Sequence, residues 1–165
     1  REVLEESYRQ NLAAEAGLAP RVHAVYRKKD QTVVVMDAID TDFTWYHPDG
    51  GGETTPTLLG ELNRHEMKKG LMLYSKLLQA GVLHADFHSG NWFINDDGEV
   101  IAIDFGLASE LHEAPENHIK RAVQFMLPAL EILGYDALAA DLHEAWFAGY
   151  EVAREELTRV ADQLT

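Results

Sequence analysis

Asp86, Asn91 and Asp104 stand five and thirteen residues apart within residues 84–106, HADFHSGNWFINDDGEVIAIDFG. Apolar residues separate these polar groups, so rigid elements are expected to hold them. Two carboxylates and an amide fixed in this way suit phosphoryl transfer, whose catalysis is mainly positioning and charge neutralisation. One carboxylate must face the attacking hydroxyl. Hard oxygen donors must hold magnesium against nucleotide phosphates, and Asp and Asn side chains supply them.

The elements that must position these groups are legible on either side. Residues 2–16 carry Leu4, Tyr8 and Leu12 at helical spacing among strong helix formers. Gly17 suits the residue just past that helix, and Pro20 bars its continuation. RVHAVY and TVVVMDAI read as strands joined by a polar hairpin, RKKDQ. Residues 40–56, with three glycines and two prolines, read as an irregular loop. The spacing of Leu58, Leu62, Met67, Leu71, Tyr74, Leu77 and Leu78 predicts a long helix over 57–80, closed by Gly81. VLH, WFIN and EVIAID predict short strands, the last two joined at NDDG. Two further helices are expected over about 116–133 and 136–162, separated by Gly134. There are no internal repeats, and a single domain is expected.

The central stretch resembles the catalytic core of the protein kinase-like superfamily. That family's His-x-Asp-x-x-x-x-Asn loop is matched by His84, Asp86 and Asn91, and its Asp-Phe-Gly motif by Asp104, Phe105 and Gly106. A typical eukaryotic protein kinase has Lys two residues after the catalytic Asp, where this chain has His88. HADFHSGN is more similar to atypical branches: ubiquinone-biosynthesis kinases, RIO kinases, small Bud-type kinases and bacterial relatives. It is also similar to aminoglycoside and choline phosphotransferases. The resemblance implies an α+β kinase-like fold: a partial N-lobe and hinge over 1–39, with αC and two strands, and a mostly helical C-lobe over 40–165. It implies ATP and Mg2+ as cofactors and transfer of the γ-phosphate to a hydroxyl, on protein Ser or Thr or on a small molecule. A pseudokinase that binds nucleotide or a partner is the further alternative.

The same resemblance assigns roles by position. Asp86 orients or deprotonates the acceptor hydroxyl. Asn91 and Asp104 bind magnesium. His88 approaches the γ-phosphate or holds the loop, with Gly90 allowing close backbone approach. Met36 takes the gatekeeper position, and the backbone of Asp37 and Ile39 meets the adenine edge. Glu5, with Glu6 as its rival, is the helix glutamate expected to pair with a phosphate-binding lysine. No glycine-rich loop or Val-Ala-Ile-Lys strand precedes the first helix, and Lys28 and Lys29 fall in a hairpin. Because the chain begins at Arg1 within a helix, removal or omission of the first N-lobe strands is expected.

Other residues read more plainly. His84 is expected as a packed, hydrogen-bonded core histidine. The remaining histidines, His23, His47, His65, His112, His118 and His143, show no metal-ligand spacing. Gly50, Gly51 and Gly52 follow the hinge and read as a connector. Ala114-Pro115-Glu116 copies the motif that closes a kinase activation segment, but it follows Gly106 too closely and reads as coincidence.

Composition narrows the class. The net charge of −14, with 28 acidic against 14 basic residues, argues against non-specific nucleic-acid binding. The absence of cysteine rules out disulfides and thiolate metal sites. No apolar run approaches the roughly 20 residues of a membrane span. A cytoplasmic protein, or one delivered to a host cytosol, is expected, with a protein or small-molecule hydroxyl as substrate.

Overall fold

In the computed structural model, residues 2–38, 43–45, 64–95 and 100–165 are described. Ile39, the glycines 50–52, residues 57–63 of the expected long helix and the tip of the NDDG turn lie outside them.

Helix α1 (Glu2–Glu15) ends where Gly17 adopts φ 76°, and Leu18 N–H closes back onto Ala13 O at 3.0 Å. Its inner face is only in part the expected apolar stripe, since of that stripe Leu12 alone packs against the core. Leu4 and Tyr8 are 60% and 56% exposed, whereas Ser7, Gln10 and Ala13 are buried. Polar side chains dock this helix. Gln10 Nε2 donates to Pro20 O at 2.7 Å, and Asn11 exchanges two bonds with the Val22 backbone, at 2.8 and 3.1 Å. Apolar periodicity cannot register such a face.

Strands β1 (Val22–Lys28) and β2 (Gln31–Met36) form the expected antiparallel hairpin, with a turn shorter than RKKDQ. Lys29, at φ 57°, makes that turn. Strand β3 (Phe43–Trp45) then joins a second sheet, described below.

Helix α2 (Arg64–Gln79) is the central element, buried on two sides. Leu71, Tyr74 and Leu78 face one core, shared with the C-terminal helices; Leu73 and Leu77 face another, shared with the end of α1, Trp92 and Phe105. Each such leucine, fully buried, contributes roughly 2–3 kcal/mol. Gly70 matters here: a Cβ would meet the Trp92 indole at 3.2 Å, so the missing side chain lets the ring lie against the helix.

Strand β4 (Val82–Leu83) pairs with β7 (Ser109–Glu110), a two-residue strand too short to carry a sequence signal. Between them β5 (Trp92–Asn95) and β6 (Val100–Ala102) form an antiparallel pair that β3 extends. Helix α3 (Glu116–Ile132) matches expectation. The second expected helix does not run unbroken. Gly149, at φ 139°, divides it into α4 (Asp136–Ala148) and α5 (Tyr150–Leu164). The backbone turn there lets α5 pack back against α2 and α4 through Leu157, Val160 and Leu142. The architecture is thus helical with a few short strands, compatible with the α+β expectation. Among the described residues no helix is long and apolar enough to cross a membrane.

Candidate functional site

β4 delivers His84 into the core, fully buried, against Phe105 and Phe87 at centroid distances of 5.0 and 5.6 Å. Its Nδ1 faces the Asp86 N–H at 3.3 Å and must accept, so Nε2 carries the proton and donates to Ile103 O at 2.8 Å. Burial holds the ring below the ordinary histidine pKa, and so neutral. His84 is therefore the packed core histidine expected, and it ties the Asp86 loop to the strand that leads to Asp104.

The loop itself is locally closed. Ala85 takes φ 60°, a conformation rare for a residue with a Cβ, and its carbonyl accepts from Arg121 Nη1 of α3 at 3.0 Å. Asn91 is buried, and its Nδ2 reaches the Asp86 carbonyl at 2.8 Å and the Asp86 carboxylate at 3.4 Å. His88 Nδ1 accepts from Gly90 N–H at 3.1 Å, while its Nε2 lies 3.1 Å from Asn91 Nδ2. A neutral imidazole accepts at one nitrogen only, so one of these two contacts is made at a time. The ring of His88 is thus engaged within the loop.

Asp104 is exposed, at φ 57°, with Oδ1 accepting from Gly106 N–H at 3.3 Å. Phe105, fully buried, anchors the motif between them. On the far side α1 approaches: Arg9 Nη1 donates to Ala108 O at 3.0 Å, and Glu6 Oε2 lies 3.9 Å from where a Gly106 Cβ would stand. Burial, and then the Asp104 carboxylate, push the Glu6 pKa up. Glu5 is not brought here. It is exposed and lies 3.9 Å from Arg9 on the helix surface. Of the helical stripe Leu4, Tyr8 and Leu12, the first two point outward and Leu12 packs inward.

Met36 is 43% exposed, and its Sδ lies 3.7 Å from Gln10 Nε2. Asp37 N–H donates to Arg21 O at 2.9 Å. Its carboxylate pairs with His23 at 2.5 Å, and that hydrogen bond holds it below the usual carboxylate range.

Residues 61–131 match the family model of the ABC1 atypical kinase-like domain. The match supports an atypical branch of the protein kinase-like superfamily. This kinase-like stretch takes in α2, the loop of Asp86 and Asn91, Asp104 and most of α3; Glu6, Met36 and Asp37 lie outside it.

A kinase-like site is generally served by ATP and magnesium, and the donor set can be tested against that. Asn91 commits its nitrogen to Asp86, so its amide oxygen is the atom left to offer. Asp104 adds an exposed carboxylate, and the Glu6 carboxyl lies close by, its pKa raised by burial and then by Asp104. Hard oxygen donors of this kind fit magnesium. Arg9 and Arg121, which fasten two backbone carbonyls of this kinase-like core, carry no sequence signal, because a bond to a carbonyl leaves no pattern of residue types.

One histidine away from the cluster gives a pH prediction. His118 Nδ1 lies 3.0 Å from Ser109 Oγ, and burial, with Arg121 and Arg9 nearby, holds it below the ordinary histidine pKa. On acidification the unfolded chain then takes up a proton that the fold refuses. The stability contribution is complete above the ordinary value and is lost as pH falls below it. Urea midpoints at about pH 7.5 and about pH 5.5 should therefore fall less in His118→Gln than in the parent. An equal fall in both would remove His118 from the account.

Proposed function

We propose that this chain is an ATP- and magnesium-dependent phosphotransferase that moves the γ-phosphate to a hydroxyl, on protein Ser or Thr in preference to a small alcohol. The observation that carries the reading is the joint placement of Asp86, Asn91 and Asp104. The first two share a hydrogen bond, and His84 ties their loop to the residue before the third. Bound magnesium-ATP supplies the phosphoryl group and neutralises charge on its oxygens. Asp86 faces the acceptor hydroxyl and receives its proton. Asn91 Oδ1 and the Asp104 carboxylate hold the ion. His88, engaged with Gly90 or Asn91, keeps the loop in shape. Met36 and the Asp37 carbonyl border the base.

Glu6 in this reading holds the cationic partner of the nucleotide phosphates. Glu6→Gln should slow transfer about a hundredfold, the scale of a misplaced reactant, while Glu5→Gln stays within about twofold of the parent. The raised pKa separates function from folding. Ionised Glu6 weakens the fold above the usual carboxylate range, so Glu6→Gln should melt no lower than the parent at neutral pH. Initial rates and melting curves read both. Equal rates for the two variants would dismiss the role.

The test of the activity is transfer from γ-labelled ATP with magnesium, offered casein-like protein acceptors and, separately, amino-alcohols. Label on protein that Asp86→Asn loses supports the proposal. Turnover only with the small alcohols favours a small-molecule kinase. A second reading, a nucleotide- or partner-binding module without transfer, is favoured by Lys28 and Lys29 standing exposed at the β1–β2 hairpin. Magnesium-dependent ATP binding with no transfer to any acceptor would establish it.

A further inference from the structure

A cavity of about 790 Å³ opens between α2 and the turn that follows α1. α2 lines it with His65, Lys68, Lys69, Met72, Leu73 and Lys76. Spacings of three and four residues put these on one stripe of the helix. Residues 16–18 and Val100 form the facing wall, and a smaller cavity of about 240 Å³ continues past Lys76 to Ala80. None of the residues assigned above to nucleotide, magnesium or acceptor lines either cavity.

The charge here runs against the rest of the molecule. The chain has six lysines and 28 acidic residues; three of those lysines line this cavity, and no carboxylate does among the described residues. A concave wall of one sign focuses the field and concentrates ions of the opposite sign. Lys68 and Lys76 are both exposed and lie eight residues apart, about 12 Å along the helix axis. Between them the surface is apolar, through Met72 and Leu73 with Leu18 opposite. The volume falls in the roughly 300–1,000 Å³ range of small-molecule sites and is too small for a folded partner. A bare inorganic anion would leave the apolar floor unused, and a neutral oil would leave the lysines unused.

We propose that this cavity binds a small organic anion, with its acidic head group at one end of the apolar floor, against Lys68 or Lys76, and its apolar body over Met72, Leu73 and Leu18. The site is separate from the phosphoryl-transfer residues, so it stands whether or not the chain transfers phosphate.

Octyl phosphate is the probe, titrated by calorimetry at low salt, with octanol and inorganic phosphate in parallel. One-to-one saturable binding of octyl phosphate is expected, with each of the other two at least tenfold weaker. Lys68→Gln/Lys76→Gln removes the charged contact at either end of the floor and should weaken binding about tenfold or more, and added salt should weaken it as well. The hairpin variant Lys28→Gln/Lys29→Gln should bind as the parent does. Melting curves check that every variant is folded. The proposal is overturned by unchanged affinity in Lys68→Gln/Lys76→Gln. It is equally overturned by octanol or inorganic phosphate binding as tightly as octyl phosphate, or by the absence of saturation.

Discussion

Asp104→Ala is expected to lose magnesium-dependent nucleotide binding and phosphoryl transfer together, the latter by about three orders of magnitude or more, because ion and positioning carry most of this chemistry. The folded state should survive. Asp104 is exposed, and its one local bond is a 3.3 Å acceptor contact with Gly106 N–H. Alanine can occupy the left-handed backbone at φ 57° only at a cost of about 1–2 kcal/mol, so Asp104→Asn, which tolerates that conformation, serves as the paired variant. Asp86→Ala should differ in kind. It removes the group proposed to face the acceptor while Asn91 and Asp104 stay, so transfer is expected to fall and nucleotide binding to be nearly kept. Equilibrium binding with and without magnesium, set beside initial rates, separates the two patterns. Transfer by Asp104→Ala at the parent rate would defeat the metal assignment.

Trp92→Ala is expected to cost about 3–5 kcal/mol, the range for emptying a buried aromatic site, and to lower the melting temperature by about 10 °C. Trp92 is 1% exposed, stacks on Phe87 at 5.8 Å with ring planes 4° apart, and rests against Gly70 of α2. Phe87 packs against both cores, so the pair joins them. The loss should also reach the site, because Trp92 follows Asn91 directly and Phe87 follows Asp86. Gly70→Ala presses on the same indole from the other side and should show a smaller loss of the same sign. A melting temperature within about 2 °C of the parent for Trp92→Ala would mean that the joint lies elsewhere.

The sequence disclosed most where structure is local. Asp86 and Asn91 are five residues apart and bonded to each other, so their spacing is a direct trace of the loop. The strands around them and the helix over 116–132 follow from patterns that span one element each. The inner face of α1 was misread because Gln10 and Asn11 dock it through backbone carbonyls, while Leu4 and Tyr8 point outward. On that helix Glu5 stays on the surface while Glu6 approaches Gly106 and Asp104. The division at Gly149 was hidden because the stretches on either side are both strongly helical, and only packing of α5 on α2 requires the turn. Strand β7 exists through its pairing with β4, a relation between residues 26 and 28 positions apart.

The hydrogen bonds between β5 and β6 alter what the thirteen-residue interval means. Ile103 N–H binds Asn91 O at 2.8 Å, Trp92 stands opposite Ala102, and His84 fixes Ile103 from below. The distance from Asn91 to Asp104 in space is therefore set across the ladder, rung to rung, and the length of chain between them is incidental. Relatives of this protein could gain or lose residues beyond the last rung and keep the same site. A search that demands the interval will overlook them, and one that asks for paired strands closing on an Asn and an Asp will not.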